Sequence, residues 1–231
     1  MHDPDPRAVV QRILSSDKVS TAPTGTPVSG LWIFGAAAAA ILVGEVVGLL
    51  LAFGLSLPPD AVPDLARVSG YFCGLGVVLA LAPRRAWTPS KRVLLPADPT
   101  GALRCLVWIS IVVGLQLAFD GLVFGRRPPG DRSGSLSAMG WLSALLLAPV
   151  IEEIIFRWIL LRSVDQLTSF VPAAVVTAAA FSLSHGPQGI DALASHLWFG
   201  LLAAVGCYGS GSLLVPMASH CALNYLTLGW G

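Results

Sequence analysis

From Leu31 onward the chain is a succession of apolar runs separated by Pro- and Gly-rich breaks. A helix that crosses a bilayer needs about 20 largely apolar residues. Runs of that kind fall at 31–57, 66–82, 102–125, 136–162, 169–185, 190–207 and 210–228. They give seven spans, with six or eight as the neighbouring counts; the second is short and the fourth long, which tilt absorbs. Backbone groups in hydrocarbon must bond within their own segment, so the runs are helices. A membrane barrel needs alternating strands, and stretches such as 36–40 and 145–147 do not alternate. The expected fold class is all-α, a polytopic transmembrane helical bundle.

Composition agrees. Of 231 residues, 55% are apolar and 12% charged, against about 25% charged in a soluble domain. A surface that faces water needs that charge; one that faces lipid does not. The net charge is +1 and no basic run interrupts the apolar segments, which argues against nucleic acid as a partner. Cys73, Cys105, Cys207 and Cys221 form no CxxC pair and read as small buried hydrophobes, neither a disulfide framework nor a zinc knuckle. No metal or other cofactor is called for, and HExxH is absent.

Residues 1–30 are polar and read as a cytoplasmic tail; the run at Leu31 is too long for a signal peptide. With the N-terminus inside, nine lysines and arginines fall on cytoplasmic segments and four outside, although the cluster at 126–132 runs against this orientation. The chain then divides into the tail, N-terminal transmembrane helices over 31–125 that carry no motif, and a core over 126–231 that carries the chemistry.

The whole sequence has three glutamates, Glu45, Glu152 and Glu153, and all lie inside apolar runs. A carboxylate in the bilayer core is costly and is normally paired, facing protein or water. Arg157 follows Glu153 by four residues and can pair with it on one helix face. Glu152 points about 100° away from Glu153 and must find another partner, which suits a general base or acid. His220 and Asn224 share a face of the last run, and Phe181 and His185 are likewise four apart. A buried ion pair that only fixes packing is the competing reading for Glu153 and Arg157. Hydrogen-bonded packing is the competing reading for the histidines.

Glu152-Glu153-Ile-Ile-Phe-Arg157 reads as EExxxR, Phe181-Ser-Leu-Ser-His185 as FxxxH, and His220-Cys-Ala-Leu-Asn224 as HxxxN. Their order resembles the CPBP family of intramembrane proteases, which includes CAAX prenyl endopeptidases and bacterial relatives associated with bacteriocin processing or immunity. The resemblance covers roughly residues 136–228. It implies a metal-independent glutamic endopeptidase acting on a membrane-associated or lipidated protein or peptide. Glu152 and His185 would then hold and deprotonate a water, and His220 and Asn224 would donate to the oxyanion. Glu153 and Arg157, with Phe181, would support the site. The Ala-, Gly-, Arg- and Pro-rich composition suggests a GC-rich bacterial gene, hence a bacterial plasma membrane.

A zinc protease using the same histidines, a proton-coupled transporter, and a non-catalytic membrane partner or immunity protein are the alternatives. Glu45 is expected to pair or pack, Asp120 to reach the interface, and His196, outside the three motifs, to be structural. One geometric difficulty follows from the span limits: His185 falls about 12 Å beyond the midpoint of its run at 1.5 Å per residue, while Glu152 lies near mid-membrane.

Overall fold

The computed structural model describes residues 26–56, 61–82, 94, 96, 98–125, 138–185 and 189–229, and among them all regular structure is helical. Seven helices succeed one another: α1 (Pro27–Gly54), α2 (Ala61–Leu81), α3 (Pro99–Phe124), α4 (138–167), α5 (Phe170–Ser184), α6 (Ile190–Ser210) and α7 (Leu214–Gly229). Each apolar run therefore has its helix, with ends set by local chemistry. α1 begins at Pro27, inside the segment expected to be polar tail, because the Thr26 hydroxyl accepts from Ser29 N. Proline at the first helical position gives up an N–H that no helix bond would use. Asp98 repeats the device before Pro99, its Oδ1 accepting from Gly101 N at 2.6 Å. Residues 1–25, and most of the arginines and lysines behind the expected orientation, lie outside the described residues.

α1, α3 and α6 are each long and apolar enough to cross a membrane; α5 and residues 65–81 of α2 are shorter apolar helices. α1 and α3 carry their large apolar side chains outward, as at Trp32, Leu42, Phe53 and Leu122. Inward they turn mostly small or polar residues, Gly44, Gly48 and Ala52 from α1, Cys105 and Gln116 from α3, with Ile33 and Val112 as the large apolar exceptions. That inversion suits lipid, where helices associate by close packing rather than by burying apolar area. α1 and α2 show how close: Gly44 and Gly48 face Ala66, Ser69 and Gly70, and a Cβ at Gly48 would stand 2.7 Å from Ala66 Cα. The molecule is a helical membrane bundle.

α4 is the centre of it, touching α1, α2, α5, α6 and α7. Residues 155–161 are buried on every face, as expected of a helix with no solvent side. The fourth run, read from sequence as regular helix, instead widens into π-helix at Ser143–Leu147 and again at Ile154–Leu160. Single π turns of this kind recur at functional sites. α5 has 15 residues, about 22 Å of helix, and ends at the C-cap His185, close to the limits of the run read from sequence. His185 nevertheless meets α4, its Nε2 lying 4.0 Å from Glu152 Oε2.

Candidate active site

Glu152, on the face of α4 that looks into the bundle, is contacted from three other helices. The Tyr71 hydroxyl of α2 donates a hydrogen bond to Glu152 Oε1. The other oxygen, Oε2, lies 4.0 Å from His185 Nε2 and 3.9 Å from His220 Nε2. It is buried and has no hydrogen-bond partner among the described residues. Those separations are too long for direct hydrogen bonds and match two bonds that meet at one intervening oxygen. By distance the two histidines stand equally close to Glu152.

The far nitrogens of both rings are engaged, which fixes their tautomers. His185 Nδ1 lies 2.8 Å from Phe181 O; a carbonyl only accepts, so Nδ1 carries the hydrogen. His220 Nδ1 lies 3.1 Å from Glu153 Oε1 and donates to that carboxylate in the same way. When neutral, each ring therefore turns the lone pair of Nε2 toward Glu152. The four-residue spacing thus lets the backbone carbonyl of Phe181 orient His185.

Glu153 and Arg157 are fully buried. Arg157 Nε stands 3.0 Å from Glu153 Oε2, off the line of a hydrogen bond. The guanidinium lies instead against ring faces, 4.7 Å from the Phe181 centroid and 5.9 Å from that of Phe199, in cation–π contact. Phe181, itself fully buried, also meets His185 and His220 edge-on, with centroids 4.6 and 5.8 Å away. One ring thus joins the supporting cation to both histidines.

Asn224 on α7 donates from Nδ2 to Ala144 O at 2.7 Å. The reason lies in α4. Ala148 N bonds to Ser143 O, the five-residue step of a π-helix; the next donor in that register would serve Ala144 O, but it belongs to Pro149, which has no N–H. The asparagine supplies the missing donor from another helix. One of its two amide hydrogens is committed to that carbonyl.

The four residues that the resemblance assigned to catalysis, Glu152, His185, His220 and Asn224, line one cavity of about 580 Å³. So do several residues that the sequence treated separately. Glu45 crosses over Gly70, where a Cβ would collide with its Cγ, and lines the cavity with Arg67 and Tyr71. Gln116 and Asp120 of α3 line it with Ser195 of α6. His196, read as structural, lies on the wall and stacks on His185, centroids 4.0 Å apart and planes 20° from parallel. Among the described residues no three His, Cys, Asp or Glu side chains are grouped so as to hold a metal ion. Tyr71 and Gln116 were not singled out in the sequence. Gln116 left a signal as a lone amide within an apolar run, and Pro149 another, as a proline three residues before Glu152.

No curated protein and no solved structure matches the chain. Residues 134–226, which span α4 to α7 almost completely, match the family described as type II CAAX prenyl endopeptidase Rce1-like. The three motifs, Glu152 to Arg157, Phe181 to His185 and His220 to Asn224, all fall inside that segment. Through this segment the chain is similar to the CAAX prenyl endopeptidase family.

Proposed function

We propose that the protein is a glutamate-dependent intramembrane endopeptidase in which Glu152 is the general base. The observation that carries this reading is the meeting of Glu152 Oε2 with the two imidazole Nε2 atoms, at 4.0 and 3.9 Å, in a cavity within the helical bundle. A water on Oε2 is within reach of both rings. Glu152 takes its proton as the hydroxide attacks the scissile carbonyl, and later returns it to the leaving amine. Tyr71, bonded to the other carboxylate oxygen, holds the base in one rotamer. His185 positions the water with Glu152. His220, in the doubly protonated form in which Nε2 also carries a hydrogen, donates to the developing oxyanion together with the second amide hydrogen of Asn224. Buried Glu153 fixes the Nδ1 hydrogen of His220 and is itself balanced by Arg157.

The substrate is a membrane-associated or lipidated protein or peptide that reaches the cavity from the bilayer. A bacterial plasma membrane with the N-terminus cytoplasmic is the setting that composition and charge placement favour. The test is cleavage of a library of acylated and farnesylated peptides by the purified protein in nanodiscs. Wild type should produce new termini that persist in chelator and vanish in Glu152→Gln. Cleavage that survives Glu152→Gln, or that a chelator abolishes, overturns the mechanism.

A further inference from the structure

The cavity has a second polar group, on the α3–α6 wall, that the hydrolytic chemistry does not use. Gln116 Nε2 donates to Asp120 Oδ2 at 2.9 Å and to Ser195 Oγ at 2.9 Å. The donors of the amide are spent inside the cluster. What is left over is acceptor: Gln116 Oε1 and Asp120 Oδ1 are both buried and have no hydrogen-bond partner among the described residues. Gln116 is only 4% exposed. The ion pairs among the described residues gather at Glu152 and Glu153 and none reaches Asp120.

Resting on the peptidase reading above, we propose that Asp120 and Gln116 form a substrate subsite for a positively charged side chain, a lysine or arginine close to the scissile bond. A network kept only for packing would close its acceptors, because a buried oxygen left without a donor is destabilising. Two open acceptors, one on a carboxylate, suit a partner rich in donors and carrying positive charge. Ammonium and guanidinium groups are donors without acceptors and bring the balancing charge. A neutral N–H would satisfy one oxygen and leave the carboxylate uncompensated in a medium of low dielectric. Both residues line the same cavity as Glu152, so a chain extended across the Glu152–His185–His220 cluster can lay one side chain on this wall. Ser195 and Asp120 hold Gln116 on both sides, so the acceptors are set before substrate arrives.

The test separates binding from cleavage. Glu152→Gln protein in nanodiscs captures peptides from a defined library of acylated nonapeptides randomised at every position, and mass spectrometry reads the retained set. The subsite predicts enrichment of Lys and Arg over norleucine at one position by about tenfold, the worth of a hydrogen bond to a charged group. Adding Asp120→Asn should remove the enrichment, while Asp120→Glu, which keeps the charge, should retain most of it. Retention in one variant and loss in the other excludes general damage to the fold. Equal capture of basic and neutral peptides, or a preference that survives Asp120→Asn, overturns the subsite. A wild type that cuts none of the captured peptides overturns the peptidase reading instead and leaves the binding result standing.

Discussion

The two halves of the bundle are built for different tasks. α4 to α7 hold the charged motifs, the π-helical distortions and the fully buried Glu153–Arg157 pair. α1 to α3 carry no motif, expose large apolar side chains and pack through glycine and other small residues. Yet the first half is not merely a lipid-facing jacket. From α2 comes the hydroxyl that bonds Glu152, and from α3 the Gln116–Asp120 cluster on the cavity wall. The difference teaches that, on the proposed mechanism, the base belongs to the motif-bearing helices, whereas its orientation and the cavity wall are shared with helices that bear no motif.

Substitutions can break or sharpen that division. The largest effect is expected at Glu152: Glu152→Gln should lower turnover by about 10²- to 10⁴-fold, the range for a general base, with folding unchanged by thermal unfolding in detergent. Next comes the buried pair. Arg157→Met alone should destabilise the protein by about 3–5 kcal/mol, because it strands Glu153 without a cation. The double replacement Glu153→Gln with Arg157→Met should recover much of that stability, though not activity, since His220 Nδ1 then faces a neutral amide in place of a carboxylate. If the single and double variants melt together, the pair is not what stabilises α4.

Smaller effects probe the first half. Tyr71→Phe should reduce kcat by roughly tenfold with little change in KM, as expected for loss of one hydrogen bond to a charged group. A rise in KM alone would mean that Tyr71 contacts substrate rather than orienting the base. Asn224→Leu should lose about 1–3 kcal/mol of stability from the stranded Ala144 carbonyl, in addition to its effect on turnover. Gly48→Ala should cost about 1–3 kcal/mol by pushing α1 from α2 while kcat of the folded fraction stays within about twofold, a loss below 0.5 kcal/mol. A larger fall in kcat would show that α1 packing is transmitted to the site through α2.

How much of this the sequence displayed follows the same division. Apolar runs reported the helices, because length and hydropathy are local properties. EExxxR, FxxxH and HxxxN reported their residues, because charge in an apolar segment is conspicuous and four-residue spacing survives in any helix. The Tyr71–Glu152 bond joins residues 81 positions apart, and a tyrosine in an apolar helix carries no mark of its partner. The approach of His185 to Glu152 was not legible in the span limits, because it depends on how α5 packs against α4. The π turns were hidden because i,i+4 reasoning assumes a regular helix. Pro149 was the visible cue, and its consequence, the Asn224 bond to Ala144 O, needs both helices to be seen.

The central claim is that Glu152 performs hydrolysis on a membrane substrate. Its most direct test compares peptide termini in membranes of cells carrying the wild-type protein with those carrying Glu152→Gln at matched expression. The account predicts termini present only with wild type and unaffected by chelator, which would identify the substrate as well. Identical sets of termini, with the cellular phenotype of the protein surviving the substitution, would contradict it and leave a protein that binds a membrane partner without cutting it.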